Sequence, residues 1–157
     1  MIQRLQTVLL IVAGAFLVAS MFFPIFVLRS ADLVTVLFAY GIKQVNVAGE
    51  VVASHSLLMF MIMPAVAVAM TLFTIIKFKN RQLQMKLCSV NNLFVMAYLA
   101  VYVVWGLDTA RSMAGEASGQ SLGVSLFLIG AAAVLNIVAK WMIRKDDNLV
   151  KSVDRIR

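Results

Sequence analysis

The chain is poor in the residues that most often carry chemistry: among its 157 residues there is one cysteine and one histidine. Cys88 alone closes no internal disulfide, forms no CxxC redox pair and builds no cysteine-based metal site. His55 alone excludes multi-histidine metal catalysis and bis-histidine haem ligation within one chain. Ser54 and Ser56 flank it, but side chains adjacent in sequence point apart and no nucleophile motif surrounds them, so no hydrolytic triad is indicated. Gly14 and Gly106 stand singly inside apolar stretches, which leaves no phosphate-cradling loop. These gaps argue against an enzyme and give no reason to expect a cofactor or a resident metal.

What is abundant is apolar. Hydrophobic residues make up 62% of the chain, against roughly 45–50% in ordinary soluble domains. They fall in four runs, Val8–Leu28, Leu57–Ile76, Leu87–Leu107 and Leu122–Ile143, each close to the about 20 residues a helix needs to span hydrocarbon. The third opens with Ser89, Asn91 and Asn92, so its strictly apolar part is Leu93–Leu107. Lys140 interrupts the fourth, where its aliphatic stem lets the ammonium snorkel to the headgroups. Arg4 ahead of the first run, with Val18-Ala19-Ser20 as a cleavage site, fits a signal peptide; apolar character continuing through Met21–Leu28 favours an uncleaved anchor. The expected fold is therefore an all-α membrane protein with four transmembrane helices, at about 8–28, 57–76, 87–107 and 122–143.

Charge sets the expected orientation. The net charge of +7 comes from basic residues beside the apolar runs, which points to anionic lipid headgroups. The segment from Lys77 through Lys79 and Arg81 to Lys86 lacks interleaved aromatics, so nucleic acid is not indicated. Arg4, that segment, and the C-terminal residues Lys140, Arg144, Lys145, Lys151, Arg155 and Arg157 far outnumber Arg29, Lys43 and Arg111 in the other loops. The positive-inside rule then places both termini in the cytoplasm. Residues 1–143 form one unit that includes an outer loop, 29–56. Within it Leu33–Tyr40 and Val45–Val52 read as a small β-hairpin, with Gly41 and Gly49 supplying turns. The second outer loop, Asp108–Ser121, reads as irregular. Residues 144–157 form a basic tail in which Leu149, Val153 and Ile156 recur at helical spacing, either lying on the inner leaflet or continuing the fourth helix.

No ionisable residue falls inside a central span, which speaks against ion-coupled transport but leaves passage of a neutral solute open. Asn136 is the polar residue expected to make an interhelical contact. Pro24 and Pro64 remove backbone donors, and a kink at Pro64 would either shape a cavity or accommodate packing. His55, Met59 and Met63, spaced i, i+4 and i+8, share one face at the outer end of the second helix, a soft set suited to Cu(I). Methionine is ordinary filler in packed helices, and packing is the preferred reading.

The opening Met1-Ile2-Gln3-Arg4-Leu5-Gln6-Thr7 and the closing segment Arg144–Arg157, RKDDNLVKSVDRIR, resemble a Bacteroidota family of small four-helix integral membrane proteins classed as a domain of unknown function. The resemblance implies a bacterial inner (plasma) membrane location and carries over no catalytic residue. Both resembling ends lie on the expected cytoplasmic face, which marks Arg4, Lys151, Asp154 and Arg155 as partner contacts to test. Lys77, Lys79 and Arg81 join them as lipid or partner contacts. The expected role is a non-enzymatic accessory or scaffold subunit of a membrane complex, contacting a membrane-protein partner or a second copy. The alternatives are a small transporter or channel for a neutral solute, or an envelope sensor.

Overall fold

The computed structural model describes residues 2–78, 80–115 and 119–154, with side chains except at residues 2–4, 59 and 152–154. Helix α1 (Ile2–Ser20) leads into strands β1 (Phe26–Arg29), β2 (Leu33–Phe38), β3 (Gly41–Asn46) and β4 (Val51–Ser56). Helices α2 (Leu58–Ile76) and α3 (Arg81–Val101) follow, then a π-helical turn (Tyr102–Gly106) and α4 (Leu107–Ala114). Strand β5 (Gly119–Leu122) and the long helix α5 (Val124–Asp154) complete the described chain.

The all-α expectation is wrong, because the strands join in one five-stranded antiparallel sheet of order β4-β3-β2-β1-β5. Four transmembrane helices are not found either. Among the described residues two helices are long and apolar enough to cross a membrane, Arg81–Ala114 and Val124–Lys151. Leu5–Ser20 and Phe60–Ile76 are apolar but shorter.

The first apolar run shows why hydropathy misled. Helix α1 ends at Ser20, whose hydroxyl donates to Leu17 O at 2.7 Å. Pro24 lacks the N–H that a continuing helix needs, and Ile25 N instead donates to Leu37 O at 2.7 Å, opening β1. Ile25, Phe26 and Leu28 are buried on the sheet. A helix followed by a buried strand reads as one continuous apolar run, and nothing in its periodicity separates the two.

The expected hairpin is found only in part. Strands β2 and β3 pair from Leu33↔Asn46 to Phe38↔Gly41, while the segment 45–52 straddles the turn into β4. Alternation sorts the faces of β2: Thr35 and Leu37 are buried, and Val34, Val36 and Phe38 only partly so. The supposedly irregular loop after residue 107 holds α4 and β5. Leu107, Ala110 and Ala114 are the buried residues of α4, and the helix packs on β1 and β2. Gln44 Nε2 fixes the contact by donating to Met113 O at 2.7 Å.

Helix α1 packs between α2 and α5, and α3 packs against the same two. The helices meet the sheet at a crowded junction. A Cβ on Gly123 would come within 2.0 Å of Pro24 O, and Gly123 N donates to Ile25 O at 2.8 Å. Only glycine lets the start of α5 sit this close to β1.

Candidate functional site

The helices expose large apolar side chains and bury a set of polar ones within an otherwise apolar core. Leu93 and Val104 are each 73% exposed, and Phe127 and Trp141 are 64% and 65% exposed. Gln6, Thr71, Thr74, Gln84, Asn91, Ser125 and Asn136 are buried. Water penalises this distribution and hydrocarbon favours it.

The buried polar groups form a ladder along α3, whose inward residues are Gln84, Cys88, Asn91, Val95 and Tyr98, continued by Tyr102 in the π-helical turn. Alternating steps of four and three keep them on one seam. Gln84 Nε2 donates to Thr74 O at 3.3 Å and Asn91 Nδ2 donates to Thr71 Oγ1 at 2.9 Å, both reaching α2. Asn136 Nδ2 donates to Cys88 O at 3.2 Å, linking α5 to α3. Tyr102 Oη lies 3.1 Å from Ala39 O and 3.0 Å from Phe60 O, and so holds α3, the sheet and α2 together. Gln6 Nε2, Asn91 Oδ1, Tyr98 Oη and Asn136 Oδ1 are buried without a hydrogen-bond partner among the described residues. Gln6 and Gln84 escaped the sequence reading because they lie outside the strictly apolar runs. The spacing of 84, 88, 91, 98 and 102 was the available signal.

The basic residues collect at the end of the helices away from the sheet. There Gln6, Phe78, Arg81 and Gln84 line a small cleft that brings together α1, the end of α2 and α3. Arg81 Nη2 lies 3.2 Å from Asp146 Oδ2, an ion pair between α3 and α5. Lys77 Nζ stands 5.2 Å above the Phe73 ring, and Lys151 binds Asp147 one turn back on α5. The described part of the tail continues α5 without a break to Asp154. Lys79 and Arg155 lie outside the described residues, as do the side chains of Arg4, Met59 and Asp154.

The helical ladder of His55 and Met63 does not form, since His55 belongs to β4 and pairs with Ile42, whereas Met63 belongs to α2. No group of three or more His, Cys, Asp or Glu able to hold a metal occurs among the described residues.

At the sheet end, β4 and β5 are the two edges, and β4 is the longer. Five of its six residues are exposed and Ala53 is half-buried. Val51 and Val52 are 60% and 59% exposed. A cleft of about 190 Å³ beside it is lined by Tyr40, Lys43, His55, Ser56 and Leu58 among others. Lys43 Nζ sits 5.3 Å from the Tyr40 ring centroid, a cation–π contact that holds the ammonium on the sheet.

A family model described as Domain of unknown function (DUF4293) matches residues 2–156, nearly the whole chain. No curated protein matches it.

Proposed function

We propose, for a chain that belongs to the family described as Domain of unknown function (DUF4293), the role of a membrane-integrated, non-enzymatic accessory or scaffold subunit that docks a partner along β4. The β4 edge carries the reading. Lone edge strands are usually protected by lysine, proline, brevity or a bulge; β4 has no lysine or proline over Val51–Ser56, and its one irregularity is the bulge that leaves Val52 unpaired opposite Gln44 and Val45. A partner strand adding there would satisfy its outward N–H and C=O groups and cover Val51 and Val52.

The exposed apolar surface of the helices supports a bilayer around them, with α3 and α5 crossing it. Lys77, Arg81, Lys86, Lys140, Arg144, Lys145 and Lys151 at one end support a cytoplasmic assignment for that end and for both termini. The sheet then faces the opposite side. The resemblance of the two terminal segments favours a bacterial inner membrane.

Photo-crosslinking from Val52 and Ser54 in native membranes tests the docking. The reading expects one discrete adduct, lost when Val52→Lys places an ammonium on the edge. Folded, membrane-bound protein giving no adduct from any β4 position would rule it out.

A second reading, passage of a small neutral solute, rests on the unpartnered buried atoms of Gln6, Asn91, Tyr98 and Asn136. Vesicles containing the protein would then pass glycerol or urea, and Asn91→Leu would stop the flux. Vesicles no leakier than protein-free ones would dismiss it.

A further inference from the structure

We propose that the groove between the start of α3 and the end of α5 binds the headgroup of an anionic phospholipid, an assignment that rests on the membrane reading above. The groove measures about 380 Å³ and is lined by Gln82, Met85, Lys86, Ser89, Lys140 and Lys151. The α3 residues recur at i, i+3, i+4 and i+7, one helical face. Lys140 and Lys151 are three turns apart and so share a face of α5.

Two ammoniums, Lys86 and Lys140, line the groove without a carboxylate partner, and Lys151 stands at its far end. Asp147, on the same stripe of α5, is bound to Lys151, and Asp146 is engaged by Arg81. Among the described residues no carboxylate pairs with Lys86 or Lys140. Ser89 Oγ donates to Met85 O at 2.9 Å, which leaves its oxygen free to accept from a glycerol hydroxyl.

Depth selects a lipid over an acidic peptide. At about 1.5 Å per residue, Lys140 stands roughly 24 Å along α5 from Val124, and Lys86 roughly 30 Å along α3 from Gly106. Hydrocarbon is about 30 Å thick, so both ammoniums fall at headgroup level on the side away from the sheet. Exposed Val90, Leu93 and Ile137 continue from the groove toward the sheet, the direction acyl chains would take. A phosphate held by Lys86 and Lys140 would thus have its tails along apolar helix surface.

Native mass spectrometry of the full chain in mild detergent, titrated with phosphatidylglycerol or phosphatidylcholine of equal chain length, tests this. The expected result is preferential retention of phosphatidylglycerol. Lys86→Met with Lys140→Met, which keeps most of each stem, should weaken it about thirty-fold, since each ammonium near an anionic surface contributes about a factor of five. Arginine at both positions should restore binding, and Asp147→Asn should strengthen it by freeing Lys151. Lys145→Met should change nothing, because Lys145 lies over the Trp141 ring outside the groove. Equal retention of the two lipids, or undiminished binding by the double variant, would overturn the proposal. Inorganic phosphate binding as tightly as the lipid, with the same loss in the double variant, would assign the groove to a soluble anion and overturn it too. Protein that stays in solution without detergent would remove the membrane reading itself, whereas detergent-dependent protein without lipid preference removes only the groove.

Discussion

Asn91 and Gly123 show two ways in which a single residue holds this molecule together. Asn91 Nδ2 donates to Thr71 Oγ1, and Thr71 in turn donates to Ala67 O at 2.9 Å, so a short polar chain crosses from α3 into the backbone of α2. Interhelical hydrogen bonds in membrane proteins contribute modestly, about 0.6 kcal/mol on average and up to about 1.7. Asn91→Ala is expected to lower unfolding stability within that range, measured by denaturant titration in detergent micelles. Gly123 acts by exclusion. Alanine there would force its Cβ onto Pro24 O, and because both sides of the contact are backbone neither can yield cheaply. Gly123→Ala should cost at least about 2 kcal/mol, seen as a sharp fall in thermal midpoint with α1 and α2 still helical. Neither role was legible beforehand. Asn91 read as a blemish at the edge of an apolar run, and Gly123 gave no sign that β1 would pass beside it.

Among the elements, the link between helices and sheet is the least evident in the sequence. Tyr102 carries it, with its hydroxyl bonded to Ala39 O in the β2–β3 turn and to Phe60 O in α2. The π-helical turn that holds Tyr102 carries the chain into α4, whose buried face rests on β1 and β2. Tyr102→Phe should leave secondary structure intact and cost about 1–3 kcal/mol, the penalty for stranding buried carbonyls. Hydrogen exchange should then quicken in β2 and β3 before it quickens in α3. The apolar character of α2, α3 and α5 was legible because helix-length hydropathy survives local irregularity. Of the expected hairpin only the first strand was legible, since Leu33–Tyr40 holds β2 while Val45–Val52 straddles the turn between β3 and β4. The remaining strands were hidden for different reasons. β1 is as apolar as the helix before it, β4 lies beside the start of α2, and β5 is only three polar or small residues and one leucine, too short for any pattern. Sheets built from non-local pairings, such as Val27 with Ser121, leave no local trace.

At the scale of the whole molecule, the same chemistry sorts three ways. Apolar side chains cover the helices, a few amides and hydroxyls sit within their largely apolar interior, and most of the described basic residues gather at the end opposite the sheet. Basic clustering was readable from counts beside the apolar runs. The groove formed by Lys86, Lys140 and Lys151 was not, because it requires knowing that α3 and α5 lie side by side. Raising ionic strength should weaken any lipid or partner contact at the basic end while sparing one along β4, where no charged residue stands. Co-purification at low and high salt would separate the two surfaces.

The sidedness of this arrangement is best tested with cysteine labelling, for which the chain is well suited because its sole cysteine, Cys88, is buried. In a Cys88→Ala background, Val52→Cys on β4 and Lys145→Cys on α5 would be exposed to a membrane-impermeant maleimide in intact cells. Residue 52 should label from outside, and residue 145 only after the membrane is opened. Labelling of both from the same side, or recovery of the protein in the soluble fraction, would contradict this arrangement.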